Sequence, residues 1–292
     1  MPWLQLRINT SRDQATTVED ALLSAGAASV TLEDNADQPI FEPALGETPL
    51  WQATRVTGLF DAKIETLLVE QVLNNELGAI PDARWHILED KDWEREWMQH
   101  YHPIQCGEHF WICPSWREPP DPNATNLKLD PGLAFGTGTH PTTFLCLQWL
   151  AQHDLHGKTL VDYGCGSGIL GIGALLLGAR SAIGIDIDPQ ALLASRDNAQ
   201  RNGLAAETFP VYLPNQATTE PADVVVANIL AGPLVELAAP ISAWVKVGGR
   251  LCMSGVLDTQ AEKVMLAYRT GFEFEPIARK DGWVRLAAIR KN

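Results

Sequence analysis

The chain has no apolar run approaching the roughly 20 residues that a bilayer-crossing helix needs. Its start, Met1-Pro2-Trp3-Leu4-Gln5-Leu6-Arg7, lacks the basic segment and apolar stretch of a secretion signal. Cysteine is sparse: the five, at 106, 113, 146, 165 and 252, are odd in number and never form a Cys-x-x-Cys pair. That argues against a disulfide framework and a zinc site, and leads to the expectation of reduced thiols, no bound metal and a cytoplasmic protein. Positive charge is in deficit too, with 22 Lys and Arg against 36 Asp and Glu, for a net charge of −14. Such a surface repels phosphates, so no direct nucleic acid partner is expected, and no membrane partner either. It attracts a basic partner and speeds that encounter, although acidity by itself also serves solubility.

What is present is enough for two cores: 292 residues, 46% of them hydrophobic. Trp3–Asn9 alternates like a strand, and Thr17–Ala25 has helical spacing with Thr16 and Thr17 as caps. Strand-like Ala28–Leu32 follows, then a polar loop from Asp34 to Pro49. Strand Trp51–Phe60, helix Lys63–Asn74 and strand Trp85–Leu88 complete the order β-α-β-β-α-β. That order predicts a split βαβ, ferredoxin-like module. It carries no recognisable catalytic constellation, so its simplest role is substrate recognition. Glu89–Gln99 reads as a charged linker helix with Trp93 and Trp97 on one face. Short strands are expected at Trp111–Trp116 and Leu127–Leu129.

From Phe144 onward helices and strands alternate. Strands are expected at Thr159–Asp162, Ala182–Ile187, Val211–Leu213, Asp223–Asn228, Arg250–Ser254, Phe272–Arg279 and Trp283–Arg290. Helices are expected at Phe144–Gln152, Ile169–Leu177, Pro189–Asn202, Pro233–Val245 and Thr259–Arg269. Lys280-Asp281-Gly282 is too short for a crossover and forces the last two strands antiparallel. The predicted fold class is therefore α/β: a doubly wound, mostly parallel seven-stranded sheet with an antiparallel C-terminal hairpin, plus an N-terminal α+β ferredoxin-like domain. The expected boundaries are 1–88 for the recognition domain, 89–125 for a linker helix and strands, and 126–292 for the nucleotide-binding domain. An ending of this kind has the shape of the common methyltransferase fold.

The chemistry gathers around Leu160-Val-Asp-Tyr-Gly-Cys-Gly-Ser-Gly-Ile-Leu170. A buried strand runs into a turn with glycines at 164, 166 and 168, which permit a tight bend and a close approach of backbone N–H groups to a ligand. One βαβ step later Asp186 stands where a carboxylate accepts ribose hydroxyls. Two ligands compete for this turn. A dinucleotide fingerprint fits Gly166, Gly168 and Gly171, but its first glycine normally follows the strand directly. The longer pattern Asp162-x-Gly164-x-Gly166-x-Gly168 resembles motif I of S-adenosylmethionine-dependent methyltransferases, and Cys165 within it reads as a small turn residue. The strand Asp223–Asn228 ends in a carboxamide at the ligand-binding edge, where Asn228 either meets a ligand or caps the next helix.

The combination Phe135-Gly-Thr-Gly-Thr-His140-Pro-Thr-Thr143, Asp162-Tyr-Gly-Cys-Gly-Ser-Gly168, Ile185-Asp186-Ile-Asp-Pro189 and Asn228-Ile-Leu230 resembles the bacterial ribosomal protein L-eleven methyltransferases. The resemblance covers essentially the whole chain. It implies transfer of methyl groups from S-adenosyl-L-methionine to lysine ε-amino groups and the N-terminal α-amino group of ribosomal protein L-eleven, up to the trimethyl state. The implied cofactor positions are Thr143, Gly164, Asp186 and Asn228, with Gly166 added by its place in the turn. It also implies that the N-terminal module grips that basic protein. Asn228 and His140 are the catalytic candidates. Asn228 would orient the amine, and His140 would accept its proton or, equally, shape the loop over the cofactor. Gly136 and Gly138 suggest a mobile lid. A monomer is expected. The rivals are a methyltransferase for glutamine or small-molecule nitrogen, a nicotinamide oxidoreductase, and a non-catalytic ribosome-binding module.

Overall fold

A computed structural model of the chain describes residues 2–36, 38, 40, 48–78, 83–89, 101–130, 136, 138–218 and 220–292. It divides into two compact units, Met1–Met98 and Gln99–Asn292. The charged linker helix expected at Glu89–Gln99, and residues 135 and 137 of the glycine-threonine stretch, lie outside the described residues.

The first unit holds β1 (Trp3–Ser11), α1 (Arg12–Ser24), β2 (Ser29–Asp34), β3 (Ala53–Asp61), α2 (Thr66–Leu77) and β4 (Ala83–Leu88). Its sheet has the order β2-β3-β1-β4, antiparallel throughout, as the split βαβ pattern requires. Alternation sends Leu6 and Ile8 of β1 to one face, where they meet Val18 and Leu22 of α1 and Val69 and Leu73 of α2. Helix α1 begins five residues before the expected Thr17, because the apolar stripe of Ala15, Val18, Ala21 and Leu22 extends back one turn. Ser11, not Thr16, occupies the cap position.

The second unit adds β5 (Ile104–Gly107), β6 (Phe110–Cys113) and β7 (Thr125–Lys128), then α3 (Pro141–Ala151), β8 (Thr159–Tyr163), α4 (Ile169–Leu176), β9 (Ser181–Ile185), α5 (Pro189–Arg201), β10 (Val211–Tyr212) and β11 (Ala222–Asn228). It continues with α6 (Ala231–Glu236), α7 (Ala238–Ala243), β12 (Val245–Leu257), α8 (Ala261–Tyr268), β13 (Phe272–Phe274), β14 (Ala278–Lys280) and β15 (Trp283–Arg290). Its main sheet runs β10-β9-β8-β11-β12-β15-β13, with β14 also on β15. The pairs among β8 to β12 are parallel, and β15 is antiparallel to β12, β13 and β14. The order reverses between β8 and β11, which sets the ligand crevice at their carboxyl ends.

Two departures from the expected elements have local causes. One helix was expected over Pro233–Val245, but the chain breaks between α6 and α7 at Leu237. Pro240 has no N–H for the Glu236 carbonyl, and its ring would clash with that group. One strand was expected over Phe272–Arg279, but Pro276 divides it into β13 and β14, which pair with opposite ends of β15. The tight connection has its expected form, with Asp281 (φ 51°) and Gly282 (φ 79°) both left-handed, as a two-residue hairpin turn requires.

Helix α4 is apolar all round and is buried from Ile169 to Leu175. The small sheet β5-β6-β7 supplies part of its cover: Phe110, Ile112 and Leu127 share one core cluster with Leu147, Ile172 and Leu175. The strands expected to belong to a linker thus contribute to the core of the second unit, which starts before residue 126.

Candidate active site

The carboxyl ends of β8, β9 and β11 open into a cleft of about 510 Å³. Gly164 (φ 78°), Gly166 (φ 53°) and Gly168 (φ 78°) all adopt the left-handed conformation that L side chains resist. A Cβ on Gly164 would come within 2.2 Å of Ile229 Cγ2, so glycine is required there by space as well as by φ. The turn is tied down on several sides. Gly166 N–H donates to Asp186 Oδ2 at 2.8 Å. Ser195 Oγ donates to the Gly166 carbonyl at 3.0 Å, and Asn198 Nδ2 donates to the Ser167 carbonyl at 2.9 Å.

Beneath the turn lies Asp162, fully buried, its Oδ2 accepting the Gly171 N–H at 2.8 Å while Oδ1 has no hydrogen-bond partner. Burial pushes its carboxyl up to about 8; the Gly171 N–H opposes that shift, and the charge of Asp186 adds to it. Cys165 is also buried, and its thiol is raised far above the thiolate range by desolvation, which suits a small turn residue and not a nucleophile.

The expected site residues occupy three places. Gly164, Gly166 and Asp186 line one stretch of the cleft with Ile187 and Pro214. Asp186 follows the last residue of β9, and its Oδ1 also accepts the Asp188 N–H at 3.0 Å. Asn228, the final residue of β11, and His140, the N-cap of α3, line another stretch with Trp283. Thr143 is fully buried and meets the site through Asn228, whose Nδ2 donates to its Oγ1 at 3.2 Å; its neighbour Thr142 is the threonine on the cleft wall. The Asn228 Oδ1 is buried without a partner.

His140 Nδ1 accepts the Thr142 N–H at 3.4 Å and lies 2.7 Å from Thr142 Oγ1. Through the first of these contacts Nδ1 caps the start of α3. Burial lowers the imidazole pKa, which favours the neutral ring. The ring packs edge-on against Trp283, with centroids 4.9 Å apart. Gly136 and Gly138, expected to free a lid, are buried. The Gly136 carbonyl accepts Ser167 Oγ at 2.8 Å, and a Cβ on Gly138 would meet Ile112 Cδ1 at 2.4 Å. At these two positions glycine serves close packing. Trp283 and Tyr163 also line the cleft, beyond the site residues expected from sequence. The signal for Trp283 was its place directly after the Asp281-Gly282 turn, at the ligand-binding edge.

Among the described residues lining the cleft, Asp186 is the sole charged side chain, with no Lys or Arg beside it. A pyrophosphate would face a carboxylate with no cation to balance it, whereas a cationic nucleoside is favoured. The crevice at a sheet reversal, a glycine cradle and an antiparallel last strand therefore define the S-adenosylmethionine-dependent methyltransferase class.

The comparisons with known proteins agree. A family model described as Ribosomal protein L11 methyltransferase (PrmA) matches residues 2–291. Proteins named ribosomal protein L11 methyltransferase from Saccharophagus degradans and Teredinibacter turnerae are 65% and 62% identical over 292 residues. Each alignment covers 100% of this chain, and covers 100% and 98% of the respective relative. A solved structure titled ribosomal protein L11 methylase, from Lactobacillus delbrueckii subsp. bulgaricus, is 33% identical with a TM-score of 0.58, over 66% of this chain and 100% of that one. The chain belongs to the ribosomal protein L11 methyltransferase family, and its cofactor is S-adenosyl-L-methionine.

Two outcomes test this geometry. Gly164→Ala should lower stability by about 1–2 kcal/mol from the left-handed backbone alone. It should also weaken S-adenosylmethionine binding by about tenfold in calorimetry, since Ile229 must move. Asp162 has a folded pKa raised from 3.8 to about 8, so it favours the folded state most below pH 3.8, and that contribution is lost as pH rises toward 8. Urea denaturation of Asp162→Asn should therefore show a shallower fall in stability between pH 4 and pH 8 than the parent chain.

Proposed function

We propose that this enzyme methylates lysine ε-amino groups and the N-terminal α-amino group of ribosomal protein L11, up to the trimethyl state, with Asn228 orienting the acceptor amine. The reading rests above all on one observation: the carboxamide of Asn228 donates to Thr143 and leaves a buried, unpartnered oxygen at the cleft. A buried acceptor without a donor is costly, and a neutral amine supplies the missing N–H.

The residues suit the cofactor. Asp186 would hold the ribose hydroxyls, Ile187 and Pro214 would offer apolar surface to the base, and the cradle of Gly164 and Gly166 would admit the methionine portion. The bound cofactor supplies an electrophilic methyl group on a positive sulfur. What remains for the protein is to place a neutral amine in line with that methyl. A lysine with an ordinary pKa near 10.4 costs about 4–5 kcal/mol to hold neutral at pH 7 in water. An apolar cleft next to a fixed positive charge lowers that cost, because both desolvation and repulsion disfavour the ammonium form.

His140 acts through position. With Nδ1 engaged at the cap of α3, it holds the start of that helix and the wall shared with Trp283, while the amine proton leaves to water. The ferredoxin-like unit recognises the ribosomal protein, and the net charge of −14 steers a basic partner toward the enzyme. The enzyme works in the cytoplasm as a monomer. No helix among the described residues is long and apolar enough to cross a membrane.

Mass spectrometry of purified ribosomal protein L11, incubated with enzyme and S-adenosylmethionine, should show mass gains in steps of one methyl group; no gain would end the substrate assignment. His140→Ala should slow single-turnover methylation several-fold with no change in its pH midpoint, and His140→Asn, which keeps a cap acceptor, should recover most of the rate. A displaced midpoint would instead make His140 the proton acceptor.

A further inference from the structure

We propose that Trp283 determines how far methylation proceeds, positioning the acceptor once it no longer has an N–H for Asn228. This inference rests on the reading of the cleft as a site of repeated amine methylation. Each transfer forms one N–C bond while the methyl's bond to sulfur breaks, its electron pair leaving with sulfur. The resulting ammonium gives one proton to solvent before the next transfer. The neutral acceptor therefore starts with two N–H bonds, keeps one after the first methyl and has none after the second. Asn228 Oδ1 only accepts, and the lone pair of the acceptor nitrogen must face the methyl group, so the two are joined only through an N–H of the acceptor. Asn228 can hold the first two acceptors by hydrogen bonding and cannot hold the third.

The same wall of the cleft offers a surface that needs no N–H. Trp283 opens β15, pairs with Leu257 on β12, and is 8% exposed. Strand β12 also carries Ser254, the register partner of Asn228. His140 lies against the indole and is three residues before Thr143, the partner of Asn228. Asn228, His140 and Trp283 all line the cleft, and Thr143 ties Asn228 to the helix that His140 caps from behind it. An indole attracts methylated and quaternary amines through its π face, and N-methyl groups pack on it as apolar surface. Burial favours the neutral form of the adjoining imidazole, which lessens its repulsion of a cationic product.

The test uses two acceptors: unmodified ribosomal protein L11, and the same protein whose amines have been reductively dimethylated with formaldehyde and borohydride. Transfer rates at saturating S-adenosylmethionine are measured for the parent enzyme and for Trp283→Leu, Trp283→Phe and Asn228→Ala. Trp283→Leu should lower transfer to the dimethylated acceptor at least tenfold more than transfer to the unmodified one. Trp283→Phe should show the same bias at about threefold, and Asn228→Ala the opposite bias. The readout is a ratio of two rates from one preparation, so a partly folded variant still reports, and Trp283→Phe decides if Trp283→Leu does not fold. Equal losses on both acceptors, no loss, or a parent enzyme that methylates only the unmodified acceptor would overturn the role of Trp283. A parent enzyme inactive on unmodified L11 would overturn the substrate reading and this inference with it.

Discussion

A carboxyl group sealed beneath the glycine turn holds the binding edge together. Asp162 ends the innermost part of β8 and takes the Gly171 N–H near the start of α4, so the strand and the helix are joined by one buried bond around the turn between them. The chain must then pass over that bond in little space. Gly171 shows how little, since a Cβ there would meet the Phe209 ring at 2.3 Å. Desolvating a carboxylate is expensive, and here the expense is limited by protonation and by the positive end of α4. The outer bonds to Asp186 and from Ser195 and Asn198 complete a cradle held by the chain's own hydrogen bonds.

Charge is arranged on two scales. Among the described residues lining the cleft there is one carboxylate and no Lys or Arg, an environment that tolerates a positive nucleoside. Over the whole molecule the excess of 14 negative charges acts at longer range and is screened beyond roughly 10 Å at ordinary salt. The first scale bears on which cofactor fits, and the second on how quickly a basic partner arrives. Neither demands a strong acid or base in the cleft. Methyl transfer asks mainly for alignment and exclusion of water, and the fold supplies both through packed walls.

Much of the fold was legible locally. The β-α-β-β-α-β order, the alternation of the second unit and the Asp281-Gly282 turn all express short-range constraints. So do the breaks at Pro240 and Pro276, which follow from a missing N–H and could have been drawn from the same rules. The small sheet β5-β6-β7 was only partly legible, because Ile104–Gly107 has no clear alternation and is ordered by its place against α3. Within the site, Gly164, Gly166, Asp186 and Asn228 stand on the cleft where their spacing suggested. Thr143 reaches it through Asn228, 85 positions away, a pairing that no local pattern announces.

By itself, the order of residues determined the strand-turn-helix around the glycines, the acidic residue one βαβ step later, and the parallel sheet closed by a hairpin. Each is settled by backbone conformation or periodicity within a few residues. Only tertiary structure decided that Asp162 is buried, with its carboxyl pushed up to about 8, that Asn228 has one oxygen left to offer, and that His140 and Trp283 share a wall. Those facts concern desolvation and hydrogen-bond satisfaction, which depend on what lies across the sheet and not on what lies next in the chain.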